Sequence, residues 1–116
     1  DPFMVVALFS SSLKNGVKAH VGIGATVDSY YAGQGRAVQG LENSNRDLPQ
    51  IFSAAGVLNF DMETETIFTL ASLLGMKAAN ILAVHGNRET NTWLSDYRVA
   101  QISAIRTALE ADFERL

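Results

Sequence analysis

The sequence predicts an α/β fold in which helices are layered on a sheet. Three observations predict it. Segments with apolar residues at helical spacing alternate with short runs rich in β-branched residues. Glycines stand where the helical patterns stop, and the longest connection is rich in Gly, Asn and Ser. The resulting order of helix, strand, helix, strand, helix calls for a parallel strand pair joined by a right-handed crossover.

The first segment, DPFMVVALFSSSLKNG, carries an apolar face of Phe3, Val6, Leu8 and Leu13 and stops at Asn15-Gly16, which predicts a helix with a glycine C-cap. VKAHVGIGATVD, residues 17–28, reads as a buried strand. SYYAGQGRAVQGLENSNRD, residues 29–47, reads as a long loop, and loops of that length are uncommon unless they have a function or are flexible. A short helix is predicted from Arg46 to Ala55, ending at Gly56, and a brief extended piece from Val57 to Phe60. From Glu63 to Met76, Ile67, Leu70, Leu73 and Leu74 recur at helical spacing and predict a core helix that ends near Gly75. AANILAVHGN, residues 78–87, reads as a second buried strand. SDYRVAQISAIRTALEADFERL, residues 95–116, reads as an amphipathic helix capped by Ser95 or Asp96.

Composition narrows the function classes. The chain has 116 residues, 47% hydrophobic and 18% charged, with a net charge of −3, as expected for one soluble globular domain or a piece of a larger one. Lys and Arg are few and scattered, so no basic patch is available for phosphate backbones and nucleic acid is not an expected partner. The absence of cysteine removes thiolate and disulfide chemistry and fits a reducing compartment. No apolar run reaches the roughly 18 residues of a membrane span, and the start has no basic leader. A cytoplasmic protein without membrane contact is expected, and the initial Asp points to a chain that begins inside a longer product.

In layered α/β sheets ligands collect at the carboxyl ends of strands. The segments leaving those ends are DSYYAGQGR and GNRETNTW, both polar and glycine-bearing, and the acidic stretch NFDMETETIF can lie between them. That stretch raises a question of its own: Asp61, Glu63 and Glu65 precede an apolar helix. A solvated helix start, favoured by the helix dipole, is the plain reading of the carboxylates, as a polar surface loop is of YYAGQGR.

Taken together, HVGIGATVDSYYAGQGR, GVLNFDMETETIFTLASLLGMKAANI and LAVHGNR resemble the C-terminal half of the uridine phosphorylases, within the hexameric or trimeric nucleoside phosphorylase family. The resemblance runs from His20 to Arg88 in order, and the last helix also fits. It implies a nucleoside phosphorylase-like, three-layer αβα fold with a mixed sheet, of which residues 1–116 form the C-terminal portion of a single domain. The half carrying most phosphate-binding arginines and the glycine-rich phosphate loop lies outside this sequence.

By resemblance, Gln34 and Arg36 match the residues that read the uracil ring, where an amide and a guanidinium suit its carbonyls and N–H. Tyr30 matches an aromatic packed on the base, and Arg88 an arginine bordering the base site. Met62 and Glu63 match the ribose-binding pair, a thioether under the sugar and a carboxylate accepting from the 2′- and 3′-hydroxyls. Asp61 would support Glu63, and His85 stands beside the base pocket, whereas Glu65 would only occupy the helix start. The implied reaction is reversible phosphorolysis of uridine to uracil and ribose 1-phosphate. It has inorganic phosphate as co-substrate and needs no cofactor, metal or covalent protein nucleophile. The implied partners are nucleoside, phosphate, the N-terminal half of the same protein and further copies in a dimer-based homo-oligomer extending to a hexamer.

Several positions depart from the family pattern. Ala32 replaces a common proline and Gly35 a larger residue, which predicts a more mobile base loop. Phe60 and Asp61 replace a commoner tyrosine and glutamate, and His85-Gly86 replaces two aliphatic residues lining the base pocket, leaving uridine against thymidine preference open. Asn87 falls near the aspartate with which purine-specific relatives protonate their base, and an amide cannot supply that proton. His20 reads as a structural histidine of the first strand, Gly22 and Gly24 as close strand packing and Trp93 as a lid or an interface anchor. Two alternatives stay open: a purine nucleoside phosphorylase or nucleosidase of the same family, and a non-catalytic nucleoside-binding or storage relative.

Overall fold

Helix α1 (Pro2–Lys14) starts at Asp1, whose carboxylate accepts the amides of Phe3 and Met4 at 2.9 and 3.1 Å, with Pro2 in the first turn where its missing N–H costs nothing. Its end is a Schellman motif: Gly16 takes φ +64°, its amide reaches Leu13 O at 3.1 Å, and the amide of Val17 reaches Ser12 O at 2.9 Å. The glycine stop expected there is present.

A computed structural model describes residues 1–40 and 42–114 of the chain. After α1 come β1 (Ile23–Thr26), α2 (Leu48–Ala54), β2 (Val57–Asp61), α3 (Thr64–Leu73), β3 (Gly86–Asn87), β4 (Thr92–Trp93) and α4 (Arg98–Leu109). Leu41 of the long loop, and Arg115 and Leu116 of the predicted last helix, lie outside the described residues. The chain divides into two compact units, Gly22–Ile67 and Asp1–Val21 with Phe68–Leu116.

In the first of these, β1 and β2 pair in parallel, with Ile23 opposite Val57 and Thr26 opposite Asp61 and a shift in register between Ile23 and Gly24. The loop and α2 make the connection. Helix α2 packs on β2 through Phe52 and Phe60, whose ring centroids stand 5.5 Å apart. Gly22 and Gly24 are close-approach glycines as expected: a Cβ on either would fall 2.4 Å from the Leu58 side chain or 2.5 Å from that of Asn59.

In the other unit, α1 packs on α4 through small residues. Ala7, Leu8, Ser11 and Ser12 are buried on α1 and Thr107 on α4, and Ser11 Oγ donates to Thr107 O at 2.8 Å. The apolar face expected to be buried is not the one that packs here: Leu8 is covered, while Phe3, Val6 and Leu13 are exposed. β3 and β4 form an antiparallel hairpin with Gly86 opposite Trp93. Among the described residues the sheets are thus one parallel and one antiparallel pair. No described helix is long and apolar enough to cross a membrane.

Three further expectations are corrected. Residues 17–22 and 78–85 are not strands, because an apolar run becomes a strand only where a neighbour completes its ladder. His20 is accordingly exposed outside β1 and borders a groove of about 460 Å³ with Val5, Val6, Phe9, Ala19 and Val21. The predicted core helix α3 buries none of its residues, and Leu73 is 78% exposed. The pattern for burial is present, but among the described residues nothing buries it. For α4, Tyr97 is the cap residue without a side-chain cap bond, and Asp96 instead accepts the Arg98 amide at 3.2 Å.

Candidate functional site

Parallel pairing of β1 and β2 sends both strands out at the same end of the sheet, where Thr26 and Asp61 are neighbours. β1 releases the segment DSYYAGQGR there, and β2 turns into α3 through Met62 and Glu63. This is the carboxyl end at which such sheets bind ligands.

Asp61 organises the turn into α3. Its Oδ1 accepts the amides of Glu63 at 3.2 Å and Thr64 at 2.9 Å, an Asx turn that satisfies donors at the start of the helix. The Thr26 hydroxyl donates to the same oxygen at 3.0 Å. Burial pushes the Asp61 carboxyl up, but the bonds from the Thr64 amide and hydroxyl, the Thr26 hydroxyl and the Glu63 amide outweigh it and hold the group below the ordinary carboxylate range. Asp61 is therefore a buried carboxylate, 8% exposed, that supports its neighbours.

Met62 and Glu63 stand at the surface of this turn, and Glu63 Oε2 accepts the Met62 amide at 3.2 Å. The two groups expected at a ribose are adjacent and accessible. Glu65 sits in the first turn of α3, as its plain reading has it, and its amide is bound by Thr26 Oγ1 at 3.1 Å. The three carboxylates of NFDMETETIF thus divide their work: Asp61 caps inward, Glu63 faces out and Glu65 complements the helix dipole.

The loop after β1 gathers the three residues expected at a base. Arg36 Nη2 donates to Gln34 Oε1 at 3.1 Å, which fixes the end of the amide that faces the guanidinium. The Arg36 guanidinium also lies over the Tyr30 ring, 3.9 Å from its centroid, and Tyr31 meets Tyr30 edge-on at 5.2 Å. Gln34 is buried at 8% exposure, whereas Tyr30 is exposed.

Asparagines brace this loop. Asn43 Nδ2 donates to Arg36 O at 3.0 Å and Asn45 Nδ2 to Ala32 O at 3.3 Å, while the Gly33 amide donates to Ser29 Oγ at 2.8 Å. Gly35 has a local reason to lack a side chain: its φ is +64°, and a Cβ would stand 2.6 Å from Asn45 O and 2.8 Å from Pro49 Cδ. Thr26, Asn43 and Asn45 are structural supports that sequence reading missed. The Asn-rich composition of residues 43–45 was the available signal for two of them.

His85 and Arg88 belong to the other unit. His85 stacks on Tyr97 with ring centroids 4.6 Å apart, and its carbonyl accepts the Leu94 amide at 2.8 Å. Arg88 is half-buried in the hairpin turn. Asn87 Oδ1 accepts the amides of Glu89 at 2.9 Å and Thr90 at 3.1 Å, so this side chain builds the turn. Trp93 lies against Gly86, where a Cβ would be 2.8 Å from the indole. Among the described residues no group of three or more His, Cys, Asp or Glu side chains is arranged to hold a metal ion.

The family profile described as Phosphorylase superfamily matches residues 1–111. The chain belongs to this superfamily. Among curated members it is similar to the uridine phosphorylase of Thermococcus kodakarensis, 41% identical over 93 residues that cover 78% of this chain and 34% of that protein. It is 28% identical over 120 residues to the uridine phosphorylase of Haemophilus influenzae, covering 90% of this chain and 45% of that one. A DeoD-type purine nucleoside phosphorylase of Buchnera aphidicola is 31% identical over 84 residues, covering 72% and 31% respectively. The chain therefore spans between a third and a half of the length of the first two members. No solved structure matches it.

Proposed function

We propose that the intact protein catalyses reversible phosphorolysis of uridine, with this chain supplying the base and ribose groups. The observation that carries the reading is the joint departure of two clusters from one end of a parallel pair: Tyr30, Gln34 and Arg36 after β1, and Asp61, Met62 and Glu63 after β2. Gln34 and Arg36 offer an acceptor and donors to the uracil edge, Tyr30 an aromatic surface and Glu63 an acceptor for the ribose hydroxyls. Similarity to proteins named uridine phosphorylase supports this choice of substrate.

The C1′–N1 bond breaks with its electron pair leaving on uracil, a phosphate oxygen bonds to C1′, and the uracil anion takes up a proton. Positive charge develops on the sugar as the bond opens. Residues that hold the ribose hydroxyls and the departing base lower the barrier by fixing geometry and stabilising charge. Inorganic phosphate is the co-substrate, and no further cofactor is assigned.

Residues 1–116 form the C-terminal portion of one nucleoside phosphorylase domain in a three-layer αβα fold with a mixed sheet. The N-terminal half of the same cytoplasmic protein and further copies in a dimer-based assembly cover its apolar faces. The exposed Ile67, Leu70 and Leu73 of α3, with Leu74 just after it, support that arrangement. His85 and Arg88, which lie in the other unit, keep the base-side roles that the resemblance gives them.

Purine phosphorolysis is the second reading, carried by the match to a DeoD-type enzyme. Asn87 favours uridine, since a side-chain amide is not acidic enough to protonate a departing purine. The test is release of free base from uridine and inosine by the intact protein, with and without phosphate. Phosphate-dependent uracil release in excess of hypoxanthine is expected. Preferential hypoxanthine release favours the purine reading, phosphate-independent release a nucleosidase, and binding without turnover a storage protein.

A further inference from the structure

Thr26 joins the two clusters. It ends β1 opposite Asp61, and its hydroxyl is used in both directions: Oγ1 donates to Asp61 Oδ1 at 3.0 Å and accepts the Glu65 amide at 3.1 Å. The next amide along, that of Val27, donates to Asp61 O at 2.9 Å. One short side chain therefore ties the last residue of β2, the first turn of α3 and the point where the base loop leaves the sheet. Glu63 lies between the tied residues, with its own amide held by the same Asp61 oxygen.

We propose that Thr26 is a positioning residue for Glu63: its two-way hydroxyl bond holds the β2–α3 turn so that the Glu63 carboxylate meets the ribose hydroxyls. Its kinetic readout rests on the uridine reading above. The demand on this brace is geometric, because a misplacement of about 1 Å at a substrate-binding group is enough to cost up to roughly a hundredfold in rate. Valine in place of Thr26 keeps the branched shape and the strand preference but removes both bonds, leaving the Glu65 amide without this acceptor and the Asp61 carboxylate with one donor fewer. Serine keeps the hydroxyl.

The experiment compares wild type, Thr26→Val and Thr26→Ser in the intact protein. Kcat/KM is measured for uridine and 2′-deoxyuridine, and amide hydrogen exchange is followed at Glu63 and Glu65. Thr26→Val is expected to lower kcat/KM for uridine roughly tenfold and for 2′-deoxyuridine less, so that the ratio between them falls, with Thr26→Ser restoring it. Faster exchange at Glu65 in Thr26→Val, and not in Thr26→Ser, is expected alongside. A general loss of folding would lower both substrates together. An unchanged substrate ratio, or unchanged exchange at Glu65, overturns the proposal. Failure of the wild type to release uracil overturns the uridine reading instead, and the exchange comparison then decides the brace by itself.

Discussion

Asp61 carries a charge that folding stabilises, because the donors around it outweigh its burial and depress its pKa. A depressed folded value means that its contribution is fully present above the unfolded value and is lost as pH falls through the folded one. Replacing Asp61 with Asn in the intact protein is therefore expected to destabilise it at neutral pH. That difference should shrink once the pH drops below the ordinary value of 3.8. Urea denaturation of both proteins between neutral and acid pH measures it, and a difference independent of pH contradicts the assignment. Gln34 and Glu63 are separable by substrate. If Gln34 reads the base as proposed, Gln34→Ala is expected to leave polar groups of the base unpaired, at a cost of about 1–3 kcal/mol that falls on uridine. Glu63→Gln is expected to weaken every ribonucleoside and to affect 2′-deoxyuridine less. The ratio of uridine to inosine phosphorolysis across the three proteins reports this, and a ratio unmoved by Gln34→Ala removes the loop from base recognition.

Residues 29–36, held by Asn43 and Asn45, have a shape that depends on Gly35. At φ +64° a side chain costs about 1–2 kcal/mol on backbone grounds, and the close approach of Asn45 O and Pro49 adds to it. Gly35→Ala is therefore expected to shift residues 33–36, raise KM for uridine and leave the helix content unchanged. Kinetics and circular dichroism on the intact protein check both halves of that statement. Equal KM values would show that the Gln34–Arg36 pair tolerates the displacement. The hairpin of β3 and β4 has a comparable device in Asn87, whose carbonyl oxygen gathers two turn amides.

For the whole molecule the decisive feature is uncovered apolar surface. Phe3, Val6 and Leu13 of α1, Ile67, Phe68, Leu70 and Leu73 of α3, and Val99, Ile102, Ile105 and Leu109 of α4 are all exposed, while Ala7 and Leu8 are the buried hydrophobic residues among those described. Surfaces of this kind are occupied in stable proteins or drive association. The 116-residue chain alone is expected to self-associate and to release no uracil from uridine and phosphate. The intact protein is expected to sediment as an oligomer. A monomeric intact protein at micromolar concentration, or phosphorolysis by the chain alone, contradicts the division of labour between its two halves.

The sequence by itself determined where helices form and how α1 starts and stops, because spacing, Asp1, Pro2 and Gly16 act within a few residues of one another, but not the end of α4, which stops at Leu109 short of the helix expected over residues 95–116. It also carried the family and the groups expected at base and ribose, since these reside in residue types at short spacing. Only the tertiary structure decided which apolar runs become strands. Residues 23–26 and 57–61 find each other, and residues 78–85 have no ladder, because strand formation depends on a partner distant in sequence. The same reason kept Thr26 out of view. Its hydroxyl acquires meaning only when parallel pairing sets it beside Asp61, 35 residues further along the chain.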